Sequence, residues 1–142
     1  MVLNSTYKNK KQEELINDLV GKPFGLLRAL KMGGIGSKRL IIDTVSAKME
    51  HYINTVSDIT YANIELRPIG ILIRINKGLK NFTWVIPYYQ LVIYKTNGCS
   101  IHAQGQFVHF KNNINFKENK AFFTKMLDEK VKYDSQHNFY PS

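Results

Sequence analysis

Two turn signals, each set between runs of β-branched and aromatic residues, constrain the fold more tightly than any other feature of the chain. Arg67-Pro68-Ile69-Gly70 carries Pro second and Gly fourth, as a type I turn prefers. Closing that turn pairs Leu66 with Ile71, Ile64 with Ile73 and Ala62 with Ile75 on one apolar face, and leaves Asn63, Glu65, Arg67, Leu72 and Arg74 on the other. Asn97-Gly98 is the pair a two-residue type I′ turn demands, because both positions need positive φ. Counting outward from it sets Tyr94 opposite Ile101, Val92 opposite Ala103 and Tyr88 opposite Phe107 on a core face. The reverse face then carries Lys95, Ile93, Leu91 and Tyr89 beside Ser100, His102, Gln104 and Gln106. Pro87 has no ladder donor, so the long run from Phe82 to Lys95 is expected to bend or bulge there. Residues 60–110 therefore read as a four-stranded antiparallel meander.

Helical spacing flanks the meander. Leu15, Ile16, Leu19 and Val20 predict a helix from Lys10 to Val20, stopped by Gly21 and Pro23. A helical turn is expected across Leu26 to Met32, its leucines buried, followed by a glycine-punctuated loop. Ser37 is placed as the N-cap of a long helix to Val56 that buries Ile41, Val45, Met49, Tyr52 and Val56. Asn115 and Glu118 have capping-box spacing before a closing helix that buries Phe122, Phe123, Met126 and Leu127. The expected class is α+β: N-terminal helices and a C-terminal helix packed on one face of the meander, in a single domain 1–142 with loose ends at about 1–9 and 134–142. At 142 residues such a domain buries about 70% of its unfolded surface.

A strongly bent sheet closed by a C-terminal helix is similar in outline to pleckstrin-homology-like domains. The run Tyr61-Ala62-Asn63-Ile64-Glu65-Leu66-Arg67-Pro68, with Trp84-Val85-Ile86-Pro87-Tyr88-Tyr89 after it, resembles a small group of uncharacterised bacterial proteins of Bacteroidetes type, over about Ser37 to Phe110. That resemblance implies no activity.

Charge narrows the function classes. The chain is +9 at neutral pH, and from Ile59 to Asn115 it holds six bases, Arg67, Arg74, Lys77, Lys80, Lys95 and Lys111, against one acid, Glu65. Such a bias favours anionic partners. Arg67, Arg74 and Lys95 with Asn63, Tyr89, His102, Gln104 and Gln106 give the polar sheet face the mix of cations, amides and an aromatic that single-stranded nucleic acid readers use. Gly33, Gly34, Gly36, Ser37, Lys38 and Arg39 form a second, weaker candidate: stacked amides at the expected helix start would bind an anion, although P-loop spacing is absent.

Catalysis finds less support. His102 and His109 lie seven apart on one strand and face opposite sides, no pair of carboxylates converges, and Cys99 lacks a base partner. Neither a metal nor a cofactor is expected. No window approaches the ~20 apolar residues of a membrane span, the N-terminus lacks a secretory signal, and a single cysteine suits a reducing cytoplasm. The expectation is a non-enzymatic binding module whose basic sheet face engages nucleic acid or an acidic protein. Alternatives are protein interaction or homo-oligomerisation through the strand 82–95, and a phosphoryl ligand at residues 33–39; peripheral membrane contact is not expected.

Overall fold

The computed structural model describes residues 1–54 and 59–137. The element order is β1 (Val2–Asn4), α1 (Lys10–Val20), α2 (Leu26–Lys31), β2 (Leu40–Val45), a 3-10 turn (Ala47–Tyr52), β3 (Thr60–Arg67), β4 (Gly70–Lys77), β5 (Lys80–Pro87), a short 3-10 turn (Tyr88–Gln90), β6 (Val92–Tyr94), β7 (Gly98–Ala103), β8 (Gln106–Lys111), α3 (Ile114–Glu118) and α4 (Lys120–His137). All eight strands form one antiparallel sheet in the order β1-β5-β4-β3-β2-β8-β7-β6. The class is α+β, but a four-stranded meander understates it. Six strands lie between residues 60 and 111, and two more come from segments expected to be a loose end and a helix.

The strand β2 is the largest correction. Ile41, Val45 and Met49 have helical spacing, yet Leu40-Ile41-Ile42-Asp43-Thr44-Val45 is dense in β-branched residues, which lose χ1 freedom in a helix and pack well on a pleat. Pairing on both sides, with β3 and β8, decides the matter: Leu40 and Ile42 turn inward, and Ser37 caps nothing helical. Val56, the last position of the expected stripe, lies outside the described residues.

The β3–β4 hairpin has the expected register, Arg67 opposite Gly70 through Ala62 opposite Ile75. The strand β5 ends at Pro87, where the chain turns before β6. In the next hairpin the register is one residue away from expectation: Tyr94 lies opposite Ser100, Ile93 opposite Ile101 and Val92 opposite His102. A slip of one exchanges the two faces of a strand, so Tyr94 and Val92 are exposed while Ile93 packs on the core. A further turn, Gln104-Gly105 with φ of 55° and 73°, separates β7 from β8.

The sheet is curled. Gln104, on the β7–β8 turn, accepts a bond from Trp84 Nε1 at 3.1 Å and donates to the Val85 carbonyl at 3.1 Å. In a flat sheet strands five places apart, as β5 and β7 are, would be separated by about 24 Å. The irregularity in β2 between Ile42 and Thr44 is the type of feature that bends a strand. Inside the curl Leu40, Ile64, Ile73, Trp84, Ile101, Val108 and Phe110 form one core, which Phe122, Phe123 and Met126 of α4 cover. Outside it, α1 seats Val20 on Leu72 and Val85, with Ile16, Leu19 and Leu3 around them. Gly70 permits that approach, since a Cβ there would lie 2.5 Å from both Val20 Cγ1 and the Ile86 carbonyl oxygen. The N-terminal residues expected to be loose thus contribute an edge strand, and α4 extends to His137.

Candidate functional site

The eight residues expected on one polar face are divided: Arg67 and Arg74 line one cleft beside α1, and His102, Gln104 and Gln106 line another at the β7–β8 turn. Arg67 is 6% exposed. Its Nε donates to Glu65 Oε2 at 2.6 Å, and its Nη1 donates to the Gly21 carbonyl at 2.9 Å and to Asn17 Oδ1 at 3.1 Å. It clamps the end of α1 to the sheet and presents no charge to a partner. Arg74 is half exposed but shares the same carboxylate, at 3.2 Å. Asn63 donates to the Ser37 carbonyl. Gln104 is engaged with Trp84 and Val85, Gln106 accepts from Ser46 Oγ at 2.8 Å, and Tyr89 is exposed on the short turn after β5. Lys95 and His102 sit at the opposite end of the strand order from Arg74.

The glycine loop loses its anion site for a local reason. With β2 in place of a helix, no helix start exists at Ser37. The Ser37 amide donates to the Ile64 carbonyl and the Lys38 amide to Asn119 Oδ1, while Lys125 Nζ donates to the carbonyls of Gly33 and Gly34, at 3.2 and 2.9 Å. The loop offers oxygens to a cation. Arg39 lies over the Tyr61 ring at 4.4 Å.

Two arrangements emerge at the β6 end of the sheet. On the outer face Tyr94 meets His102 edge-on with ring centroids 4.8 Å apart, and His102 stacks on Phe107 at 5.2 Å and 20°. This aromatic row escaped the sequence because the one-residue register error sent Tyr94 inward. Between β6 and the α3–α4 segment runs a groove of about 480 Å³. Its floor is apolar, from Ile93, Phe116, Phe123 and Leu127, and Lys95 and Lys120 flank it with no acid among its lining residues. It forms because α4 leans on the Tyr88–Gln90 turn, to which Lys130 Nζ donates at the Tyr88 carbonyl (2.6 Å), and not on β6 itself. Helical spacing puts Lys120, Thr124 and Leu127 on one side of α4 along the groove. β6 is the end of the sheet, so one side of its backbone has no strand neighbour among the described residues.

Cys99 also lines the groove, but burial pushes its thiol up to about 12, with Lys95 only partly offsetting the shift, so it is protonated and unreactive at neutral pH. His109 donates through Nδ1 to Asp43 Oδ1 at 2.6 Å and through Nε2 to the Thr96 carbonyl at 3.2 Å. Burial alone would lower its pKa; those bonds and the Asp43 charge outweigh burial and raise it. No group of three or more His, Cys, Asp or Glu is placed to hold a metal among the described residues. Nor is any helix among them long and apolar enough to cross a membrane.

No protein-family model matches the chain, and neither the curated proteins nor the solved structures contain a match.

Proposed function

We propose that this protein is a non-enzymatic binding module that takes an extended acidic segment of a protein partner along β6, in the groove against α4. One observation carries the reading: an unpaired strand edge, an apolar floor and two lysines without a facing acid occur together. Added strands gain main-chain hydrogen bonds from the edge, while alternate side chains fill the adjacent groove. Alternation suits this site, apolar residues facing Ile93, Phe116 and Leu127 and acidic residues reaching Lys95 and Lys120. A synthetic peptide alternating Val and Glu is the probe. In an NMR titration the amides of residues 92–95 and 120–127 should shift, and Lys95→Glu with Lys120→Glu should abolish the shifts without changing the melting temperature. Shifts that avoid both segments, or that survive the double charge reversal, refute the reading.

The Tyr94–His102–Phe107 row favours a second reading, in which bases of single-stranded nucleic acid stack on the outer face and Lys111, on the same face of β8, holds a phosphate. Binding of a labelled oligonucleotide that falls steeply with salt and is lost on Tyr94→Ala supports it. No oligonucleotide binding at low salt rules it out.

A further inference from the structure

The helix α2 is six residues long, and its leucines point the wrong way for a core. Leu26, Leu27 and Leu30 are 78%, 76% and 67% exposed, whereas sequence reasoning buried them. The inward positions of this helix are Ala29, partly buried, and Met32 just past its end, which packs on the core. At 100° per residue the three leucines span one side with Lys31 at its border, while Arg28 and Met32 lie opposite them, toward α4. The helix is therefore apolar outward and anchored inward. Lys125 fixes the following loop through the Gly33 and Gly34 carbonyls, so α2 is held at a defined place on the surface.

Charge states what this face fits. From residue 21 to residue 39 there are five bases, Lys22, Arg28, Lys31, Lys38 and Arg39, and no acid. The neighbouring stretch of α4 adds Lys125 and Lys132 beside Asp128 and Glu129. From the three outward leucines and this net cationic surround we infer that α2 docks this protein on an anionic phospholipid surface. The leucines enter the boundary between headgroups and acyl chains, and Lys31 lays its aliphatic stem along the same face while its charge reaches a lipid phosphate.

Sedimentation with vesicles of phosphatidylcholine, alone or mixed with phosphatidylglycerol, tests the inference on the full chain. The protein should partition onto the mixed vesicles and not onto phosphatidylcholine alone, with affinity falling as salt rises. Reversing Lys31 to Glu should weaken partitioning by at least about fivefold. Leu26→Ser, Leu27→Ser and Leu30→Ser together should weaken it on the order of a hundredfold. Because all three side chains are exposed, the triple variant should melt with the parent. In a separate variant, Leu27→Trp, emission should shift blue on the mixed vesicles and be quenched by brominated acyl chains. Absence of partitioning, partitioning that the leucine variant retains, or leucine-dependent self-association without vesicle binding would each overturn the inference.

Discussion

Replacing Arg67 with Met separates a structural clamp from a binding residue. The substitution keeps most of the aliphatic stem but removes bonds to Glu65, Asn17 and the Gly21 carbonyl. Each hydrogen bond to a charged group contributes about 1.5–3 kcal/mol, and breaking a buried ion pair costs about 3–5 kcal/mol through the charge left behind. Glu65 is partly relieved here, since its side chain is 24% exposed and Arg74 stays at 3.2 Å. The lower end of that range, about 3 kcal/mol, is therefore expected for Arg67→Met. For a domain of this size that loss lowers Tm by roughly 10 °C. Arg74→Met, which removes a half-exposed pair, should cost about 1 kcal/mol or less. Urea unfolding at neutral pH with equal m-values would measure both. If Arg67→Met costs no more than Arg74→Met, the clamp is not what holds α1; if it abolishes peptide or oligonucleotide binding while stability is unchanged, Arg67 belongs to a site after all.

Tyr88→Phe should stabilise by about 1 kcal/mol in the same unfolding assay, because the Tyr88 hydroxyl is buried with no hydrogen-bond partner among the described residues and its removal relieves a desolvated group. Its phenol pKa is raised by burial first and by Glu129 second, so no contribution from ionised Tyr88 complicates the measurement below pH 10. Gly70→Ala should destabilise by about 1–3 kcal/mol, detectable as a lower urea midpoint, since its Cβ meets Val20 and the β5 backbone. His109 binds its proton more tightly folded than unfolded, so its contribution is full below its ordinary pKa of 6.5 and lost as pH rises through the raised folded value. Parent stability should thus fall over that window relative to Asp43→Asn, and equal pH profiles for the two would remove the Asp43 contact as the cause.

What was legible in the sequence follows from how local each determinant is. The β3–β4 register hangs on four turn residues, and α1 on a stripe ended by Gly21; both are as expected. Phe122, Phe123 and Met126 are buried as their spacing implies, although the cap is Asn113, which accepts from the Phe116 amide, and precedes the short α3. The element β2 was not legible, because its state is set by partners on both sides that lie far along the chain. The polar face is not continuous, because α1 covers Arg67 and because His102 lies on β7, apart in the strand order from β3 and β4; alternation alone cannot report what packs above a strand. Register at Asn97-Gly98 failed by one residue, enough to hide Tyr94 and to place Lys95 beside a face instead of a groove.

Because β2 pairs with β3 on one side and with β8 on the other, the sheet cannot close while the chain is still being made. Between synthesis of residue 45 and residue 111 the backbone edge of β2 that awaits β8 has no partner strand, an interval on the order of 3–13 s at ~5–20 residues per second. The curl that brings Gln104 onto β5 forms later than that edge, so the apolar lining of Leu40, Ile64 and Ile73 stays open to other chains during translation. Nascent copies on one message face their greatest risk of mispairing there, before the last hairpin emerges.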